Sequence, residues 1–181
     1  MTALEFRCRC CGETHVGLLP AWHFDAPAQA AGVPTAERDQ RIHLTADRCI
    51  IDGEWFFAKG LLEVRVLGAD EPFTWGVWLS LSGKSFDRYV ETFDDPLREE
   101  GETFFGWLCN DVPGYPPTLL LKAELRIRRY PQRPSVELEP TEHPLPLDQR
   151  DGITAARAVE TAERLLHPGF DVSPDGGEKA F

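Results

Sequence analysis

The chain has 181 residues, of which 42% are hydrophobic and 27% charged, with a formal net charge of −11 and a pI of about 4.9. This composition is typical of a globular protein with enough residues to bury a core, and it argues against a disordered chain. The negative charge would repel a phosphate backbone, so we expect no nucleic-acid binding, and no apolar run is long enough to span a membrane.

The thiols are expected to stay reduced. The N-terminus lacks the charged start and apolar stretch of a signal peptide, which predicts a cytoplasmic protein. Five cysteines is an odd number, which also argues against a closed disulfide framework. No repeat or linker divides the chain, so we predict one globular domain over residues 1–168 and a flexible tail over 169–181.

The first half of the chain predicts a metal knuckle followed by strands. The knuckle falls within residues 5–18, and residues 34–43 resemble the start of a helix. Strands are predicted over 47–51, 55–66 and 73–81. The dipeptide Asp52-Gly53 between the first two strands is a strong hairpin signal. The third strand carries Trp75 and Trp78 on opposite faces, so we expect both faces to be covered.

The second half adds two helices to this sheet. Residues 82–94 have the apolar spacing of a helix that Ser85 can cap, and residues 148–167 predict a terminal helix. Further strands are predicted over 103–109 and 118–129, with a short edge strand over 134–138. The order predicts an α+β fold: a mainly antiparallel sheet with an N-terminal zinc knuckle, one inserted helix and one C-terminal helix.

The sequence Cys8-Arg9-Cys10-Cys11-Gly12 has the spacing of half a zinc site. Two residues between Cys8 and Cys11 let both thiolates reach one tetrahedral metal ion, and Gly12 permits the positive φ of the following turn. A closed structural site needs four ligands, and no second pair of this kind is present. A redox role for the pair is less favoured, because it does not lie between a strand and a helix.

The preferred ligand set of a structural zinc ion is Cys8, Cys11, His15 and Cys49. His15 is four residues beyond Cys11, and Cys49 lies on a predicted strand next to the hairpin turn. Cys10, Cys109 and the histidines other than His15 remain alternatives for the third and fourth positions. Cys10 is expected to point away from the metal, and Cys109 fits an ordinary buried thiol.

Other candidates for chemistry are weaker. His143 lies between prolines, and acidic residues cluster over 94–100, so a hydrolase or transferase site near His143 is one alternative. The simpler interpretation is a loop histidine and a solvated acidic surface. The aromatic stretches 75–78 and 104–108 fit either a ligand or partner surface, or a core built from large rings.

Several stretches together resemble a bacterial family catalogued as a domain of unknown function, number twenty-one ninety-nine. The matching stretches are 8–18, 49–60, 71–81, 105–122 and 137–153. The resemblance extends over roughly residues 5–167 and does not include the tail. It implies no activity, but it supports the ligand set that includes His15 and Cys49.

These features predict a zinc-stabilised, non-enzymatic binding module. Its acidic surface would suit a basic protein partner, as in an immunity or inhibitor protein. The alternatives are the enzyme with a site near His143, and a thiol or metal sensor that uses the cysteine cluster.

Overall fold

A computed structural model of the chain describes residues 5–17 and 21–167. The strands of this part are β1 Glu5–Arg7, β2 Thr14–Val16, β3 Trp22–His23, β4 Ile42–Leu44, β5 Arg48–Ile51, β6 Trp55–Val64, β7 Val66–Leu67, β8 Phe73–Leu81, β9 Thr103–Leu108, β10 Lys122–Arg126, β11 Ser135–Leu138 and β12 Ile153–Thr154. The α-helices are α1 Arg38–Arg41, α2 Gly83–Phe93, α3 Pro144–Asp151 and α4 Ala155–Leu166. Short 3₁₀ turns span Ala28–Gly32 and Thr35–Glu37.

Five strands close into a small barrel. Strands β6, β8, β9, β10 and β11 pair antiparallel in that order. The parallel pairing of Ser135 on β11 with Leu61 on β6 closes the ring. Strands β5 and β4 extend the sheet from β6, and β3 adds to it beside β8. The predicted α+β fold with a mainly antiparallel sheet is therefore confirmed.

The main core fills the barrel, and a second apolar layer covers its outer face beside β5. Because strand side chains alternate, Trp75 of β8 points into the barrel and Trp78 points outward. Both indoles are almost completely buried, as the sequence predicted, because the segment after β3 packs over Trp78. The barrel is narrow. A Cβ atom on Gly60 would lie only 2.6 Å from the side chains of Leu125 and Val136.

The inserted helix agrees with its prediction, but the terminal helix does not. Ser82, not Ser85, is the N-cap of α2, since its side chain accepts from the Ser85 amide. The predicted helix over 148–167 is two helices, α3 and α4, broken at Gly152, where φ is 88°. The next two residues form β12, which pairs in parallel with β7 and so interrupts helical hydrogen bonding.

Two other segments also differ from the sequence expectation. The strand predicted over 118–129 is shorter, because Leu120 has a φ of 64° and the chain turns before β10 begins. The predicted edge strand at 134–138 is β11, and it lies between β10 and β6 rather than at an edge. Pro134 directly precedes this strand. It has no amide to donate, but its carbonyl still accepts a hydrogen bond from the Leu61 amide of β6, so the pairing with β6 is kept.

The turn at Asp52-Gly53 joins β5 to β6 as predicted, and both of its residues have positive φ. The helix start predicted over 34–43 forms a 3₁₀ turn followed by α1. The predicted tail over 169–181 lies outside the described residues. In the part of the chain that the structure describes, every helix is too short or too polar to cross a membrane.

Candidate metal centre

The N-terminal hairpin of β1 and β2 builds a tight loop around the first cysteines. The amide of Cys8 donates to the Glu13 carbonyl at 2.8 Å, and the amide of Gly12 donates to the Cys8 carbonyl at 2.9 Å. Gly12 has a φ of 74°, the left-handed conformation that glycine adopts without a steric penalty. In the hairpin register, His15 lies opposite Phe6, so the second strand returns the imidazole toward the loop.

Four side chains that could hold a metal ion come together at this hairpin: Cys8, Cys11, His15 and His167. Their ligand atoms all lie within 4.8 Å of one another, and Cys11 Sγ is 3.7 Å from His15 Nε2. With Zn–S bonds of about 2.3 Å and Zn–N bonds of about 2.0 Å, neighbouring ligand atoms of a tetrahedral zinc site are about 3.3–3.8 Å apart. The group is therefore close to the dimensions of such a site, and small side-chain shifts would complete it.

The surroundings of these ligands favour metal binding. Burial opposes ionisation of Cys8, but the amides of Cys11 and Cys10 outweigh it and hold the pKa of the Cys8 thiol below its ordinary value. The imidazole of His15 stacks on the Phe6 ring at a centroid distance of 5.3 Å, which restrains its orientation. Nε2 of His167 is buried and has no hydrogen-bond partner among the described residues, an arrangement that a metal ion would explain.

An ion pair next to the cysteines holds the knuckle loop against α4. The amide of Arg9 donates to Glu163 Oε1 at 2.7 Å, and its guanidinium contacts Oε2 at 2.7 and 2.9 Å. The Glu163 carboxylate is fully buried. Burial alone would favour its neutral form, but the contacts from Arg9 outweigh that and lower the pKa of Glu163. Because Glu163 lies one helical turn before His167, the same contact brings that imidazole to the loop.

The structure brings together three of the four ligands predicted from the sequence. Cys49, the predicted fourth ligand, lies on β5 opposite Phe57, fully buried in the apolar layer that contains Trp78. Burial raises the pKa of Cys49 to about 11. In the structure, Cys49 therefore lies apart from the group of possible metal ligands. The sheet packs its thiol into an apolar layer, and His167 completes the group.

The other two cysteines also lie outside the group. Cys10 is half-buried, and burial together with the neighbouring Cys8 raises its pKa to about 11. Cys109 is buried in the same apolar layer as Cys49, and its thiol donates to the Trp107 carbonyl at 3.2 Å. His167 has no local motif. The signal that pointed to it was its position as the last residue of the predicted terminal helix, in a chain with two open ligand positions.

His143 and the acidic loop do not form a visible catalytic group. Nδ1 of His143 accepts from the Leu145 amide at 3.1 Å, which makes the imidazole the N-cap of α3. In the acidic loop, Asp94 pairs with Arg48 at the surface, and Asp95 accepts from a backbone amide of its own loop. These arrangements are those of helix capping and surface ion pairing.

The aromatic stretches divide between core and surface. The stretch 75–78 is core on both faces of β8. In β9, Phe105 and Trp107 point outward from the barrel and are 52% and 38% exposed. Their rings meet edge to face at a centroid distance of 5.5 Å. This pair is an exposed aromatic surface on a rigid strand.

Comparison with known proteins identifies a family. No curated protein and no solved structure matches the chain at a significant level. Residues 7–153 match a family described as an uncharacterized protein conserved in bacteria (DUF2199). That stretch includes the knuckle, the barrel and α3, and it ends before α4 and His167. It is more than half of the chain, and the chain therefore belongs to this bacterial family.

Proposed function

We propose that Cys8, Cys11, His15 and His167 bind a zinc ion. Two thiolates and two imidazoles are a common donor set for structural zinc in proteins. The observation that carries the proposal is the convergence of these four ligand atoms within 4.8 Å, with a buried His167 Nε2 that has no hydrogen-bond partner among the described residues. The lowered pKa of Cys8 supports it, because zinc binds the thiolate form.

The proposed zinc has a structural role. Four protein ligands fill a tetrahedral coordination sphere and leave no position for a substrate or a water molecule. The ion would tie the N-terminal hairpin to the end of α4, two segments far apart in the sequence. A cross-link that closes so long a loop reduces the conformational freedom of the unfolded chain more than a short one does.

We further propose that the chain is a non-enzymatic binding module for a basic protein, such as the target of an immunity or inhibitor protein. The net charge of −11 supports electrostatic attraction of a basic partner. The exposed pair of Phe105 and Trp107 supports a contact surface, because aromatic residues on rigid elements are common anchors of protein interfaces.

The two alternatives have less support. A hydrolase or transferase site near His143 would have to use Nε2, because Nδ1 caps α3, but that nitrogen is buried and has no acid or nucleophile hydrogen-bonded to it among the described residues. A thiol sensor would need an accessible thiolate, and burial raises the pKa of Cys10 to about 11.

Metal content and thermal unfolding test the zinc site. The purified chain is expected to contain one zinc per molecule, and chelation should lower its unfolding temperature. A His167→Ala variant should lose the metal, whereas a Cys10→Ser variant, altered in the same loop but outside the group, should retain it. Absence of co-purified metal together with an unchanged melt after chelation would contradict the zinc site.

Affinity capture tests the partner surface. A Phe105→Ser/Trp107→Ser variant should lose a basic partner that the wild-type chain retains, and added salt should weaken the interaction. Trp55→Ser is the matched control, because Trp55 is 61% exposed and lies on a different strand. A partner retained equally by both variants, or an acidic one, would contradict the proposal.

A further inference from the structure

A cavity of about 610 Å³ lies between the segment that follows β3 and the edge strand β4. Its volume is within the range of pockets that bind small molecules. The walls are mainly apolar: four alanines within residues 26–31 have side chains too short to fill the space, and Ile42 and Leu44 of β4 add to the lining. The lining includes neither a proposed zinc ligand nor the exposed pair of Phe105 and Trp107, so the cavity is separate from both sites proposed above.

Hydrogen bonds hold the inner wall of the cavity in place. Asn110 lines the cavity and is only 3% exposed. Its Oδ1 accepts from the Trp78 amide at 2.8 Å, and its Nδ2 donates to the Ala26 carbonyl at 3.0 Å. The amide of Ala28 donates to the Cys109 carbonyl at 2.8 Å. Because the wall is bonded to β8 and to the residues after β9, the cavity is already formed, and a ligand would not have to order it on binding.

Three charged side chains also line this cavity: Arg38, Asp39 and Asp111. The Nε of Arg38 donates to the Val33 carbonyl at 3.1 Å, which orients the guanidinium and leaves both Nη groups without a partner among the described residues. Asp111 is held in a similar way, since its Oδ1 accepts from the Thr118 amide at 2.9 Å. Its Oδ2 and the whole carboxylate of Asp39 have no hydrogen bond or ion pair in the described part of the chain.

The two signs of charge around the cavity restrict the ligands that fit it. An apolar anion could bind the guanidinium of Arg38, but the two carboxylates would repel it. An apolar cation could bind the carboxylates of Asp39 and Asp111, but the guanidinium would repel it. A ligand that carries an ammonium group and a carboxylate can form charge-assisted hydrogen bonds with both kinds of side chain.

We propose that this cavity binds a free amino acid with an apolar side chain. The ligand's carboxylate accepts from the Nη groups of Arg38, in the paired geometry that a guanidinium offers. Its ammonium group donates to the carboxylates of Asp39 and Asp111. Its side chain packs against the alanines and against Ile42 and Leu44, where burial of apolar surface adds to the affinity.

NMR titration of the full chain, labelled with ¹³C at its alanine methyl groups, tests the site. The probes are phenylalanine and leucine, and the reporters are the methyl signals of Ala28 and Ala31, which line the cavity. Each amino acid is compared, at constant ionic strength, with the amine and the carboxylate that lack one of its charged groups, such as phenethylamine and 3-phenylpropanoate for phenylalanine. We expect a saturable shift with at least one amino acid, and binding weaker by about tenfold or more for its two analogues.

Substitutions of the charged residues test their assigned roles. Arg38→Gln and Asp39→Asn should each weaken amino-acid binding by about tenfold, because each removes one charge-assisted contact. Arg164→Gln and Asp87→Asn are the matched controls, since they make the same changes at exposed positions outside the cavity and should leave the affinity unchanged. All four side chains are exposed, so the variants should fold.

A substitution that fills the cavity tests its location. Ala31→Phe places a ring in the space and should abolish binding, whereas Ala156→Phe, the same change at an exposed position of α4, should not affect it. The proposal would be overturned if neither amino acid gave a saturable shift, or if the amine or the carboxylate bound as tightly as the amino acid. Unchanged affinity in Arg38→Gln or in Ala31→Phe would also overturn it.

Discussion

Replacing Arg9 with Met should destabilise the protein more than replacing Glu163 with Gln, although both changes remove the same ion pair. The reason is an asymmetry in burial. The Arg9 side chain is 53% exposed and the Glu163 side chain is 0% exposed. Without Glu163, the guanidinium of Arg9 can be hydrated. Without the Arg9 side chain, the Glu163 carboxylate remains buried with only the Arg9 amide as a donor.

The magnitudes follow from these contacts. Leaving a buried charge partly unpaired costs about 2–3 kcal/mol, toward the lower end because one backbone hydrogen bond survives. A Gln at position 163 can still accept from the Arg9 amide, so Glu163→Gln should cost about 1–1.5 kcal/mol. The expected difference between the variants is about 0.5–2 kcal/mol, toward the lower end of that range.

Urea unfolding at pH 7 measures the loss in free energy of unfolding that each variant causes. The metal content of each sample is verified beforehand. Arg164→Met is a control on the same helix, because Arg164 pairs with Glu160 in an exposed i,i+4 arrangement. It should cost no more than about 0.5 kcal/mol. The reasoning is refuted if Glu163→Gln costs as much as Arg9→Met, or if the control costs as much as either.

The ion pair of Arg9 and Glu163 also predicts how the free energy of unfolding depends on pH. In the wild type, the pKa of Glu163 is below its unfolded value, so its contribution is present above the unfolded pKa and is lost as pH falls through the folded pKa. In Arg9→Met, burial should raise the pKa of Glu163. The difference in the free energy of unfolding between the wild type and the variant should therefore become smaller as pH falls from 7 to 5. Because both proteins keep the same proposed zinc ligands, protonation of these ligands should largely cancel in the difference. A difference in the free energy of unfolding that stays constant or grows over this range would contradict the claim that Arg9 stabilises the ionised form of Glu163.

Substitutions at three further positions test the fold. Gly152→Ala should cost about 1–3 kcal/mol, because φ is 88° and the new Cβ would lie 3.0 Å from the Arg65 carbonyl oxygen. Gly60→Ala should cost about 1–3 kcal/mol by overpacking the barrel, and unchanged urea unfolding of either glycine variant would refute its explanation. His143→Ala should cost about 1 kcal/mol through loss of the α3 cap, while His143→Asn should retain most of the stability. Equal losses for both His143 variants in thermal unfolding would contradict a capping role.

The parts of the site that depend on local sequence were predictable. The spacing of Cys8, Cys11 and His15 places them on one short hairpin, and the structure brings them together. His167 was not assigned, because its approach depends on the docking of α4 through Arg9 and Glu163, a tertiary contact without a local pattern. The strand that contains Cys49 was predicted correctly, but the face on which its thiol lies depends on what covers the sheet.

The fold shows the same division between local and long-range information. The turn at Asp52-Gly53 and the apolar stripe of α2 follow from short-range rules, and both are present. The break at Gly152 had a local signal, a glycine followed by two β-branched residues, but the apolar periodicity that begins at Ala155 led to one continuous helix being predicted across it. Closure of the barrel through Ser135 and Leu61 is a single parallel pairing between distant strands, which periodicity does not reveal.

X-ray absorption at the zinc edge of the wild-type protein tests the central claim most directly. The proposed ligand set predicts two sulfur neighbours at about 2.3 Å and two nitrogen neighbours at about 2.0–2.1 Å. These would be Cys8, Cys11, His15 and His167. Three sulfur neighbours would contradict the account by placing a further cysteine, such as Cys49, at the metal. A light-atom neighbour from water would instead indicate an open coordination position, which a purely structural site does not have.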